Sequence, residues 1–134
     1  MFNQKENLMT KKQIDKALLE GCESGDYNKV RLAINFGADL EAKNNYGLTP
    51  LNLASKEDNI EIAKLLIEKG ADVNAKTIGG WTPLHLASDN NNIETAKLLI
   101  ERGADVEAKT NGGRTPLRKA QSEEMRDLLK KYMK

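Results

Sequence analysis

The sequence predicts an all-α repeat array, with two short helices per unit stacked against those of the next unit. Three observations predict it. Gly37-Ala38-Asp39 recurs as Gly70-Ala71-Asp72 and Gly103-Ala104-Asp105, and Thr49-Pro50-Leu51 recurs as Thr82-Pro83-Leu84 and Thr115-Pro116-Leu117, both series stepping by 33 residues. The chain of 134 residues is only 39% hydrophobic and 4% aromatic, too lean for one large central core, yet it is too evenly charged for a disordered tract. The apolar stretches within each unit have helical spacing but only roughly 8 to 10 residues, a length unstable alone in water, so neighbouring units must hold them.

The period divides the chain into an N-cap repeat at 10–45, repeats at 46–78 and 79–111, and a C-cap repeat at 112–134, after a frayed segment at 1–9. Thr10 followed by Gln13 is a capping box that opens the first helix. Lys11, Lys12, Asp15, Lys16 and Glu20 then put charge where an internal repeat is apolar. In the second unit Thr49 is the N-cap and Pro50 the first helical residue, where its missing N–H costs nothing. Leu51, Leu53 and Ala54 form the first stripe. After the break at Lys56-Glu57-Asp58-Asn59, the stripe Ile60, Ala63, Leu65, Leu66, Ile67 ends at Gly70, a C′ glycine free to take positive φ.

The third unit repeats this with Leu84, Leu86 and Ala87, a break at Asp89-Asn90-Asn91-Asn92, and Ile93, Ala96, Leu98, Leu99 and Ile100 before Gly103. Extended arms closed by turns at Gly47, Gly79-Gly80 and Gly113 join the units. In the last unit Glu123 and Glu124 early, with Lys130, Lys131 and Lys134 late, suit a helix dipole. Polar ends are what a repeat array needs for solubility, so the chain is expected to be close to a complete array.

Thr82-Pro83-Leu84-His85-Leu86-Ala87, Leu98-Leu99-Ile100 and Gly103-Ala104-Asp105-Val106 resemble the ankyrin repeat, as do the matching segments of the second unit. The resemblance covers about residues 10–134. It implies a solenoid of antiparallel helix pairs with projecting β-hairpin loops that binds other proteins through the hairpins and the inner helices. The sequence departs from the pattern where Asn52 and Arg118 replace His85, and where Asp58 and Asn91 replace the glycine between helices. An inter-helix turn at Asp58 is expected to be less stable than a glycine turn.

Each chemically suggestive residue has a structural explanation. His85 is the only histidine, and its imidazole is expected to bond near Thr82 and hold the helix start. Cys22 aligns with Ser55 and Ser88 and lies two inner helices from His85, which puts the pair out of reach as a catalytic dyad. Asp39, Asp72 and Asp105 recur because the side chain bonds local backbone N–H groups. Gly79-Gly80 and Gly112-Gly113 lack the Lys-Ser/Thr of a phosphate loop. Asn74 resembles ankyrin asparagines that asparaginyl hydroxylases modify. No catalytic, cofactor or metal site is expected.

A net charge of +1 removes the electrostatic footprint of a general nucleic-acid binder. No secretory signal and no apolar run of about 18 residues is present. The expectation is therefore a cytoplasmic, monomeric, non-catalytic scaffold binding another protein, with no specific nucleic acid and no membrane span. The alternatives are a secreted bacterial effector acting through a host or enzyme partner, suggested by Lys outnumbering Arg 16 to 5, or a nucleic-acid or lipid-surface binder.

Tyr46, Leu48, Ile78 and Trp81 flank the turns and are the expected anchors. Lys43, Lys56, Lys69, Lys76, Arg102, Lys109 and Arg114, against Glu57 and Asp89, should make the concave face basic and the preferred partner acidic. The outer helices carry Glu61, Glu68, Glu94 and Glu101 in compensation. Asn45, Asn90 and Asn111 complete the partner-binding set.

Overall fold

A computed structural model describes residues 9–134. Most of the expected frayed segment, residues 1–8, lies outside the described residues. The helices are α1 (Lys11–Ser24), α2 (Tyr27–Asn35), α3 (Pro50–Lys56), α4 (Ile60–Glu68), α5 (Pro83–Asp89), α6 (Ile93–Glu101), α7 (Pro116–Lys119) and α8 (Glu123–Tyr132). Each odd-numbered helix packs on the next odd-numbered one, and each even-numbered helix on the next even-numbered one. The result is an inner row and an outer row of helices. There is no β-strand among the described residues; the arms between units are held by tight turns.

The threonine caps form as the residue type dictates, with one exception. Thr10 and Gln13 close a capping box, and the hydroxyls of Thr49 and Thr82 accept from the N–H of Asn52 and His85. Thr115 makes no such bond. Its helix runs only one turn before Ala120 turns extended, and the Arg118 N–H goes to the Thr115 carbonyl instead. At the outer-helix ends, Gly70 with φ 101° lets the Ala71 N–H reach the Leu66 carbonyl at 2.9 Å, closing the helix without a steric penalty. Asp58 and Asn91 occupy the left-handed region at φ 58° and 56°.

Burial follows the 33-residue step. Leu18, Leu51 and Leu84 form a fully buried column on the inner helices, and Leu66 and Leu99 lie fully buried on the outer ones. Leu65 is only half-buried, while its counterpart Leu98 is buried.

One position shows how units are joined. Asp26 caps its own helix, accepting from the Lys29 N–H at 3.1 Å. Asn59 and Asn92, the residues in register with it, make no such cap. Asn59 instead donates to the Cys22 carbonyl, and Asn92 to the Ser55 carbonyl, both at 2.8 Å. An amide can satisfy a free carbonyl at the end of the preceding inner helix; a carboxylate cannot, because it has no proton to donate.

Candidate functional site

The arms fold as three-residue loops closed by a glycine. Asn44, Thr77 and Thr110 donate backbone N–H groups to Leu48, Trp81 and Arg114, and accept from Gly47, Gly80 and Gly113. The side-chain oxygen of the same residue accepts from the far side of the loop: Asn44 from Leu48, Thr77 from Trp81 and Thr110 from Arg114. Positive φ at Gly47, Gly80 and Gly113 closes each loop. Successive loops touch. A Cβ on Gly47 would stand 2.5 Å from Ile78, and Asn111 bonds the Gly79 and Ile78 carbonyls through its backbone and its side chain.

A second column anchors the arms at their base. Asp39, Asp72 and Asp105 each accept from the N–H two residues on, at 2.9 Å. Their own N–H groups donate to Asp15, Glu41 and Asn74, respectively, at 2.7, 3.0 and 2.8 Å. Asn74 also donates to the Gly103 carbonyl at 3.3 Å. Partial burial raises the Glu41 carboxyl above its ordinary value, against the lowering effect of the Asp72 N–H. For Asp39 the acceptor is Asp15 on the first turns of α1, where the later units use a residue of the preceding arm. Lys11 pairs with Asp15 and reaches the Gly37 carbonyl.

His85 is fully buried. Its Nδ1 accepts from the Thr82 N–H at 3.1 Å, and its Nε2 donates to the Arg114 carbonyl of the next unit at 2.8 Å. Burial holds its pKa below the ordinary value, opposed by the bond to Arg114 and aided by the nearby Lys76 and Lys119. Asn52 makes the same two kinds of bond, accepting from Thr49 at 2.9 Å and donating to Ala75 at 3.1 Å. The histidine is therefore a link between units. Cys22, fully buried on α1 with its pKa pushed up to about 12 by burial, is separated from His85 on α5 by the intervening α3. Among the described residues no group of three or more His, Cys, Asp or Glu could hold a metal ion.

The inner helices and the first arm enclose an open groove of about 820 Å³ that continues toward α5. Of the residues expected to bind a partner, it brings together Lys43, Asn45, Tyr46, Leu48 and Lys56. Tyr46 and Ile78 are 77% and 74% exposed. Trp81 is half-buried, with its ring 6.0 Å from that of His85 and the Lys119 ammonium 4.5 Å above it, so it packs along the array.

The remaining expected residues are dispersed. Lys69 and Arg102 are the exposed C-caps of α4 and α6, and Lys76, Lys109 and Arg114 are exposed on the second and third arms. Glu57 lies 3.9 Å from Lys56. Asp89 accepts from Gln121, Asn90 donates to the Leu86 carbonyl, and Asn111 is taken up between arms. Sequence reasoning missed the α1 wall: Lys12, Lys16, Leu19 and Glu23, with Glu20 beside them, line the groove. Their spacing of four, three and four residues places them on one helix face, the signal that could have found them.

A family model described as "Ankyrin repeats (many copies)" matches residues 32–87, and a second, "Ankyrin repeat", matches residues 79–111. A 42-residue stretch is 43% identical to an ankyrin repeat protein of Acanthamoeba polyphaga mimivirus, covering 31% of this chain. The match spans about a third of the viral protein's length, 32%. Ankyrin repeats are commonly protein–protein interaction modules and typically non-catalytic. No helix among the described residues is long and apolar enough to cross a membrane. With one match spanning a whole 33-residue unit and the two together covering residues 32–111, the chain belongs to the ankyrin repeat family, as a short array of helix pairs.

Proposed function

We propose that this chain is a non-catalytic scaffold that binds one partner protein in the groove between its arms and its inner helices. The observation that carries this proposal is the pairing of that groove with two large apolar side chains, Tyr46 and Ile78, held exposed on arms that are themselves bonded at both ends. Exposed apolar anchors on a rigid frame cost little ordering entropy on binding and exclude water around them. The chemically reactive groups support a non-catalytic role, since His85 and Cys22 are both committed to packing. A monomeric cytoplasmic scaffold whose partner presents an acidic patch completes the proposal, because Lys12, Lys16, Lys43 and Lys56 line the groove.

The test is site-specific photo-crosslinking in the native host. A crosslinker at position 46 should capture a protein whose binding is lost on Ile78→Asp, while one at Asn35 on the outer helix α2 should not capture it. Equal capture from both positions would overturn the proposal.

A further inference from the structure

Lys43, Lys76 and Lys109 stand at one position of three successive arms, one unit apart, and all are exposed. None of them makes an ion pair among the described residues. Lys43 lines the groove with Lys12 and Lys16 of α1, and by the repeat register Lys76 and Lys109 hold the same arm position farther along the array, beyond the groove's lining residues. Below this row the floor is apolar, formed by Leu19, Leu48, Leu53 and Leu86. The far edge mixes signs: Glu23, Lys56 and Asp89 share one register at the ends of α1, α3 and α5. The groove is thus basic along the arms, apolar in the middle and of mixed charge at its lower edge.

We propose that the lysine row is a ruler for an extended acidic segment of the partner, lying across the array with a carboxylate opposite each arm and apolar side chains on the leucine floor. This rests on the proposed scaffold function and specifies its partner. Neighbouring inner helices are about 10 Å apart, and a chain in the extended polyproline-II form advances about 3.1 Å per residue with three residues per turn, so the carboxylates that face the arms fall at every third residue. A nucleic-acid backbone fits less well. It would offer no apolar groups to the floor and would bring its phosphates to Glu20, Glu23 and Asp89, whereas a peptide can place a basic or neutral residue there.

The experiment uses the full chain and two labelled peptides of the same composition, one with glutamate at every third position and leucine between, the other with its glutamates clustered at one end. Binding is read by fluorescence anisotropy at low and high salt. The spaced peptide should bind about tenfold tighter than the clustered one, as three modest charge contacts in register would give. The triple variant Lys43→Glu, Lys76→Glu, Lys109→Glu should lose that preference and gain one for the same spacing of lysines. The triple Lys→Gln variant should bind the two glutamate isomers equally. Melting curves of both variants should match the parent, since all three positions are exposed.

Equal affinity of the parent for both isomers, or no binding of either, overturns the ruler. Tighter binding of a single-stranded DNA oligonucleotide than of the spaced peptide overturns it in favour of a nucleic-acid partner. These outcomes are separable from failure of the scaffold proposal, which is read from the Ile78→Asp crosslinking experiment alone.

Discussion

Replacing His85 separates what an imidazole does here from what any hydrogen-bonding side chain would do. His85→Ala leaves the Thr82 N–H without its acceptor and removes one of two donors from the Arg114 carbonyl, which keeps the Thr110 N–H at 2.9 Å. An orphaned buried donor costs about 1–3 kcal/mol, and the space left by a fully buried ring adds a cavity term. The expected loss is about 2–4 kcal/mol. His85→Asn should recover most of it, because Asn52 at the equivalent place accepts from the Thr49 N–H and donates to the arm carbonyl of Ala75, the counterpart of Ala108.

The two residues should differ in pH dependence. Protonating Nδ1 desolvates a charge in a buried site and turns a donor toward the Thr82 N–H, so the folded pKa lies below the unfolded value of about 6.5. The unfolded chain then binds more protons, and stability is full above about pH 6.5 and falls as pH drops below it. Urea denaturation at about pH 7.5 and about pH 5.5 should show the parent losing more stability than His85→Asn on acidification. An asparagine variant as unstable as alanine, or one with the same pH slope as the parent, would refute the reasoning.

Asn92→Ala should cost about 1–2 kcal/mol in urea denaturation, and Asn92→Asp at least as much, because a carboxylate would face the Ser55 and Lys56 carbonyls that the amide now donates to. Asp58→Gly should be near neutral, since relief of the positive φ offsets loss of the 2.8 Å bond from Thr95, whereas Asp58→Ala loses the bond and keeps the strain, costing about 1–2 kcal/mol in the same assay. Leu66→Ala and Leu99→Ala should each cost about 2–5 kcal/mol and Leu65→Ala less, following their burial, as measured by thermal melts. Cys22 should resist a thiol reagent in the native chain and react on denaturation, since it is fully buried and its pKa is raised to about 12.

Much of this architecture could be read from the sequence because a repeat states its own period. The Thr-Pro helix starts, the Gly-Ala-Asp turns and the leucine columns all follow from residue type and local spacing. The bonds between units were harder to see. Asn52 to Ala75, His85 to Arg114 and Asn59 to Cys22 span 23, 29 and 37 residues, and spacing shows that positions recur without showing what they touch. The change from Asp26 to Asn59 and Asn92 did carry a signal, since only an amide can donate. Asn52 looked like a departure from the pattern, but it performs the histidine's two tasks.

The groove was partly legible. Register gives the arm residues, whereas the α1 charges that complete its wall read in the sequence as the polar end of the array. Asp15 and Lys11 do serve that role, yet Lys12, Lys16, Leu19 and Glu23 on the same helix also face the groove. Trp81 flanks its turn as an exposed anchor would, yet its ring lies under Lys119, a partner 38 residues away in the sequence.

The central claim is that a protein partner is held on the arm and inner-helix side of the array. Amide hydrogen exchange of the full chain, free and bound to the protein captured by crosslinking at position 46, tests it most directly. Protection should increase in α1 and across the arms at 42–48 and 75–81, with exchange in α4 and α6 unchanged. Protection concentrated on α4 and α6, with the arms unaffected, would contradict the account.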